Sequence, residues 1–389
     1  MNTFETDAAF VAHTYARFPV EIVGGKGSVL TGSDGKSYID LGSGIAVNAL
    51  GVCDAGWIKA VTDQLHRFGH TSNLYYSAPC ANLAAELCAR TGMQKVFFSN
   101  SGAEANECAV KAARAYGAAK HSADCYTILT LKNSFHGRTL TTLAATGQDA
   151  FHEKFQPLTP GFVSIEPTPE ALAEALDTYK VAAVLFEIVR GEGGVLPLDK
   201  AFVDALVQEA AAHDFLLMCD EVQCGNGRSG TLYAYMQYGL SPDVVTTAKG
   251  LGGGLPLGAT LLGDKVADLF TPGSNGSTFG GNPVAAAGAL YVLSRLDDDL
   301  LAGVRHKSAL ICDALAGAPG VESVTGLGLM LGVKTALPAK EVANRCIGRG
   351  VLVLTAKDKV RLLPALNIPD DLLMQAISIL KDICAEGVQ

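Results

Sequence analysis

The sequence predicts an α/β protein: a large domain with a mostly parallel central sheet, and a smaller α+β domain beside it. Three observations predict it. Between about residues 95 and 263, short apolar runs alternate with helical stretches. Runs without polar alternation fit strands that are covered on both faces. Each run ends in a polar or glycine-rich group, and in open α/β sheets ligands sit beyond the carboxyl ends of the strands. Finally, 389 residues with 49% hydrophobic and 18% charged content can bury a sizeable core in two domains, which excludes general disorder.

The elements follow in chain order. Gly24-Gly25-Lys26-Gly27 and Gly32-Ser33-Asp34-Gly35-Lys36 are turn signals. Val29-Leu30 and Tyr38-Ile39 fit a hairpin between them, so the first fifty residues read as short strands and turns. Trp57, Ile58, Val61, Leu65 and Phe68 have helical spacing and predict a helix from Trp57 to His70. The strand-like runs are Val96–Phe98, Thr127–Leu131, Val181–Phe186, Phe215–Cys219 and Val244–Thr247. An Ala-rich stretch after Pro283 opens a long helix. Beyond it, helices mix with strand-like Leu329–Val333 and Val351–Leu354. The division expected is an N-terminal segment, 1–50, joining the small domain; a large domain, 51–290; and a C-terminal small domain, 291–389.

Charge and cysteines exclude several functions. Thirty Lys and Arg stand against 39 Asp and Glu, a net charge of −9. That leaves no electrostatic footprint for nucleic acid or an anionic membrane. The longest apolar runs, such as Leu255–Leu262, fall far short of the ~20 residues that span a bilayer. The first ten residues have no basic start before an apolar stretch, so a cytoplasmic protein is expected. The ten cysteines form no Cys-x-x-Cys pair and read as reduced thiols. His66 and His70 alone are spaced i, i+4 on the expected helix, and no metal site is expected.

The candidate chemistry lies where the runs end. Ser101-Gly102-Ala103 opens a helix with Ala105, Ala109, Ala112 and Tyr116 on one face. Its free N–H groups and small residues suit either an ordinary N-cap or a phosphate cup. No P-loop pattern is present, and no nucleophile elbow for Ser/His/Asp hydrolysis. Asp220 emerges after five apolar residues. A carboxylate there needs a cationic partner: a nearby Arg or Lys, or a protonated pyridine nitrogen. Lys249 ends another run, ahead of five glycines within ten residues. It reads either as a snorkelling lysine or as an activated amine able to form a Schiff base.

Taken together, these groups resemble one family. Ser99–Glu107, Phe135-His136-Gly137-Arg138-Thr139, Asp220-Glu221-Val222-Gln223 with Gly225 and Gly227-Arg228, Ala248–Gly254 and Gly276–Pro283 are similar to the motifs of class III, fold-type-I aminotransferases dependent on pyridoxal 5'-phosphate. Gly44–Gly51 and Gly326–Met330 add to the likeness, which runs from about Phe18 to the C-terminus. The resemblance implies catalytic roles for Lys249, which would hold the cofactor covalently, and Asp220, which would pair with the pyridine nitrogen. Ser101, Gly102 and Ala103 would bind the phosphate, with Thr278 lent by the second subunit of a homodimer whose sites are shared. Phe135 and Val222 would pack on the two ring faces, and Gln223 would lie near the phenolic oxygen. Arg138, Ser277 and Arg361 would bind substrate, with Glu192 covering Arg361.

The activity implied is transfer of an ω-amino group, such as that of N-acetylornithine, to 2-oxoglutarate. Ornithine, succinylornithine, 4-aminobutyrate and carrier-bound lysine are alternative donors. An aminomutase, or a non-catalytic relative of the fold, is a further alternative. The chain departs from the family at Glu187-Ile188-Val189-Arg190-Gly191-Glu192, at Val52-Cys53-Asp54-Ala55 and at Leu363-Pro364-Ala365. The first departure is expected to add the positive charge of Arg190 near the site.

Overall fold

The computed structural model describes residues 1–388. Near the N-terminus, β1 (Ile22–Lys26), β2 (Val29–Gly32) and β3 (Ser37–Asp40) form an antiparallel meander. The β2–β3 turn is held by Asp34, which accepts hydrogen bonds from Lys36 N and the Tyr38 hydroxyl.

The central sheet contains β4 (Lys95–Ser99), β5 (Thr127–Leu131), β6 (Phe162–Ile165), β7 (Val181–Phe186), β10 (Leu216–Asp220), β11 (Val244–Thr247) and β12 (Gly258–Leu262). A short ribbon, β8 (Val189–Arg190) with β9 (Leu196–Pro197), interrupts the chain after β7. The sheet order is β4-β12-β11-β10-β7-β5-β6. Only β12 runs against its neighbours, so the carboxyl ends of β4, β5, β7, β10 and β11 share one edge. All six residues of β7 are buried, as a strand covered on both faces requires. The helix Gly102–Lys120 packs on the sheet through fully buried Ala105, Ala109, Ala112 and Tyr116. Its small residues allow close approach.

In the C-terminal part, β13 (Val321–Leu327), β14 (Met330–Thr335), β16 (Leu354–Ala356) and β17 (Lys359–Leu362) make an antiparallel sheet. Between them, β15 (Val351–Leu352) leaves this sheet and pairs in parallel with β3. Leu363 N then donates to Leu41 O at 2.7 Å, and Leu366 N to Ala49 O at 2.8 Å. These bonds hold the end of β17, and so Arg361, against the segment after β3.

Several expectations are corrected. Residues Thr3–Phe10 form a helix, capped by Asn2 with Glu5 returning to the cap, where only strands and turns were expected. The helix at Trp57 spans Ala55–Arg67; Phe68 is already extended ahead of Gly69, so His66 and His70 do not share a helix. β6 and β12 were not anticipated as strands. Among the described residues, no helix is long and apolar enough to cross a membrane.

Candidate active site

A cavity of about 460 Å³ opens at the carboxyl edge of the central sheet. Asp220, the last residue of β10, lies in its wall and is 3% exposed. Among the described residues, no Arg or Lys pairs with this carboxylate; two other side chains hold it. His136 Nδ1 lies 2.8 Å and Asn106 Nδ2 2.7 Å from Oδ2, while Val222 N donates to Oδ1 at 3.0 Å. Asn106 also donates to His136 O at 2.8 Å and accepts from the Thr246 hydroxyl at 2.7 Å. The Thr246 donor requires Asn106 Oδ1 to face it, so the amide's two N–H groups point at Asp220 and His136.

Lys249 also lines the cavity. It follows β11 with φ +44°, a left-handed conformation that costs a non-glycine residue of order 1 kcal/mol and is common at functional sites. Among the described residues, no hydrogen bond or ion pair holds its amine. Burial pulls its pKa down from the usual lysine range, against the opposing charge of Glu192. Glu187, at the end of β7, accepts from Phe135 N at 2.9 Å. Burial, and then the charge of Asp220, push its carboxyl well above the ordinary range, which favours the neutral form.

Gly102 and Ala103, at the first turn of the Gly102–Lys120 helix, form another wall with Ser101. The Ser101 hydroxyl accepts from Glu104 N at 3.2 Å, so the N-cap reading holds in this structure. The backbone there is crowded. A Cβ on Gly102 would lie 2.6 Å from Val222 Cγ1, and one on Gly258 would lie 2.3 Å from Ser101 O.

The two arginines are held differently. Arg138 is exposed at the cavity wall, and its guanidinium carbon lies 3.9 Å from the Phe151 ring centroid and 5.4 Å from that of Phe135. Arg361, on β17, is 4% exposed and pairs with Glu192 at 2.5 Å. Its Nη1 also donates to Gln223 Oε1 at 3.0 Å, and Gln223 Nε2 donates to Glu192 at 3.3 Å. Burial alone would raise the Glu192 carboxyl, but the charge and hydrogen bond of Arg361 outweigh it and leave the pKa lowered. Gln223 connects this knot to the cavity, which it lines.

This fold and this edge occur in known proteins. The class-III aminotransferase family matches residues 10–384. The chain belongs to the class III aminotransferases. It is 46% identical to the acetylornithine aminotransferase of Haemophilus ducreyi, over 98% of each chain. It is 44% identical to that of Corynebacterium efficiens, over 96% of this chain and 94% of the other. Among solved structures, the N-acetylornithine aminotransferase of Stenotrophomonas maltophilia matches with a TM-score of 0.86 and 35% identity, over 99% of both chains. The ornithine aminotransferase of Toxoplasma gondii, in which pyridoxal phosphate partly occupies the active site, matches with a TM-score of 0.94 and 29% identity, over 98% of this chain and 94% of the other. The architecture is that of fold type I, and the enzyme is a transaminase.

Within this aminotransferase, Ser101, Gly102, Ala103, Phe135, Arg138, Asp220, Val222, Gln223 and Lys249 all line one cavity. Glu192 and Arg361 stand beside it as a pair. Ser277 is tied to its edge, accepting from Asn100 Nδ2 at 3.2 Å. Thr278 is exposed and does not line the cavity of its own chain. Arg190 is buried and donates to Lys132 O at 2.9 Å beyond the end of β5. It does not line the cavity, but its charge acts on Glu187, which does. Sequence reasoning assigned no role to Asn106, His136 or Glu187. All three fall in stretches that the sequence singled out, Ser99–Glu107, Phe135–Thr139 and Glu187–Glu192.

Proposed function

We propose that the enzyme moves the ω-amino group of N-acetylornithine to 2-oxoglutarate, giving N-acetylglutamate 5-semialdehyde and glutamate, a step of arginine biosynthesis in the cytoplasm. The observation carrying this reading is the contrast between the two arginines: Arg138 is open, whereas Arg361 is covered by Glu192. An ω-amine donor brings a single carboxylate, at the end away from its reacting amine, whereas glutamate or 2-oxoglutarate brings a second one on the reacting carbon. One open arginine and one conditional arginine suit both substrates in turn. The names of the relatives point the same way.

The residues present fit pyridoxal 5'-phosphate. Ser101, Gly102 and Ala103 offer a helix N-terminus for its phosphate. Asp220 is buried, hydrogen-bonded and able to face a protonated ring nitrogen, while Lys249 has no side-chain partner among the described residues. When bound, the cofactor supplies an electron sink for the bonds broken at the substrate's amine-bearing carbon. Lys249 would hold it through Nζ and, once released, take the proton from that carbon. Asp220, fixed by Asn106 and His136, would keep the ring nitrogen protonated. Phe135 and Val222 would confine the ring, and Gln223 would face the phenolic oxygen.

Arg138 would bind the carboxylate of N-acetylornithine and the distal carboxylate of 2-oxoglutarate, with Ser277 at the edge. In the second half of this ping-pong sequence, the α-carboxylate of 2-oxoglutarate would displace Glu192 from Arg361. Guanidinium suits both tasks, because it binds a carboxylate with two parallel hydrogen bonds. Residues 51–290 would form the cofactor domain, with 1–50 and 291–389 making the smaller one. Two copies would share sites, each lending Thr278 to the phosphate of the other. Leu74, Tyr75, Tyr76 and Phe279 support a covered face here, at 89%, 73%, 107% and 60% exposure in the single chain.

A donor panel with 2-oxoglutarate, read by mass spectrometry, tests the substrate. N-acetylornithine should exceed ornithine, succinylornithine and 4-aminobutyrate in kcat/KM. A tenfold preference for any of the others would replace the assignment.

A further inference from the structure

We propose that Phe151 is a positioning residue for substrate recognition: its ring holds the Arg138 guanidinium flat, with the N–H edges free for a carboxylate. The inference rests on the reading of Arg138 as a carboxylate site and extends it to a residue outside the cavity lining. Among the described residues, Arg138 has no ion pair and no hydrogen bond, though it lies exposed beside a cavity. What it does have is an aromatic corner. The Phe135 and Phe151 rings meet at 78° with centroids 6.0 Å apart, and the guanidinium carbon is 3.9 Å from the Phe151 centroid. At that distance the cation rests on the ring face, where the π quadrupole attracts it and none of its five N–H donors is used.

The difference from Arg361 is chemical. A carboxylate arriving at Arg361 must displace Glu192. One arriving at Arg138 displaces only water, because a ring neither neutralises the charge nor occupies the donors. The arginine is thus pre-ordered for every substrate, and less freedom is lost on binding.

Phe151 is itself anchored to the segment that carries Arg138. It ends the short turn Asp149–Phe151, and its N–H donates to Gln148 O at 3.1 Å. Gln148 Nε2 in turn donates to Ser134 O at 3.0 Å, four residues before Arg138. Platform and arginine therefore move as one unit, and Phe135 remains free to serve the cavity.

The test uses the holoenzyme and glutarate, a dicarboxylate with no amino or oxo group, titrated calorimetrically. Phe151→Leu and Phe151→Met should each weaken glutarate roughly three- to tenfold, the loss of one cation–π contact. Phe151→Tyr should bind as the parent does. In an Arg138→Ala background, Phe151→Leu should have no further effect. With N-acetylornithine and 2-oxoglutarate, KM should rise by a similar factor and kcat at saturation stay within about twofold, since the ring touches no reacting atom. If Arg138→Ala weakens glutarate but the Phe151 variants do not, or if Phe151→Leu acts equally without Arg138, the positioning role is overturned while the reading of Arg138 stands. If Arg138→Ala itself leaves glutarate binding unchanged, the reading beneath it is the one that fails.

Discussion

Arg361 and Glu192 pair at 2.5 Å, 169 residues apart in the chain, with Arg361 only 4% exposed. A buried guanidinium without a partner would be costly, so something must cover it whenever no substrate carboxylate does. Gln223 bonds to both members and so links the pair to the cavity wall. The carboxylate member lies on the buried Gly191–Gly194 turn and the arginine on a strand.

The first prediction follows from that asymmetry. Arg361→Ala should damage the half-reaction with 2-oxoglutarate far more than that with N-acetylornithine. Losing one partner of a buried charge pair costs on the order of 2–5 kcal/mol, roughly thirtyfold or more. Arg138→Ala should damage both halves. Glu192→Ala should leave Arg361 uncovered and favour glutamate as donor. Single-turnover absorbance kinetics of each half-reaction measure this; equal losses in both halves for Arg361→Ala would remove the gate.

Lys249 carries the second prediction. It lines the cavity, has its pKa lowered by burial and, among the described residues, is held by no other side chain. Purified enzyme should be yellow, and borohydride should fix the cofactor to Lys249, located by peptide mapping. Lys249→Ala should still take up cofactor but lose turnover. A reduced adduct on another lysine would show that the wrong amine has been chosen.

The sequence reveals these parts unequally. β7 was legible because its six residues are uniformly apolar. β12 was not, because its apolar run, Leu255–Leu262, is broken by Pro256 and Gly258, and its place beside β4 depends on contacts distant in sequence. Asp220 was legible as a carboxylate ending an apolar run. Its holders were not, since Asn106 and His136 lie 114 and 84 residues away and meet it only through the sheet order. The charge of Arg190 near the site was visible in sequence, but its bond to Lys132 O was not, because that depends on the β8–β9 ribbon.

Glu221 yields a pH prediction. It is fully buried behind Asp220, and it accepts from Tyr235 N at 2.8 Å while its Oε2 has no partner. Burial pushes its pKa from 4.5 up to about 7. A pKa raised on folding contributes stability that is fully present below 4.5 and is lost as pH rises through about 7. That rise corresponds to about 3 kcal/mol. Glu221→Gln keeps an acceptor for Tyr235 N and cannot ionise. Compared with this variant, the parent should lose stability between pH 4.5 and 7.5, by an amount of that order. Urea midpoints at both pH values measure the difference, and parallel profiles would show that Glu221 does not ionise in this range.

The last prediction concerns the shared site. Ser277 is tied to Asn100 beside the cavity, yet its neighbour Thr278 is exposed and outside the lining. The Ser277 loop is bound to Asn73, which donates to Ser277 O at 2.9 Å and to Gly280 O at 3.0 Å. It therefore stands next to Leu74, Tyr75 and Tyr76, whose exposure in one chain suits burial against a second copy. If Thr278 reaches across to the phosphate of the partner subunit, Thr278→Asp should disable the partner's site by placing like charge at an anion. Lys249→Ala disables the site of its own subunit. Each variant alone should then be inactive or nearly so. A heterodimer of the two collects both lesions in one site and leaves the other intact, with Lys249 from one chain and Thr278 from the other. Its activity should approach half that of the parent dimer. Purified heterodimers, selected by two different tags, provide the measurement. If Thr278 served its own subunit, each site would carry one lesion and no activity would return, so the heterodimer distinguishes the two arrangements directly.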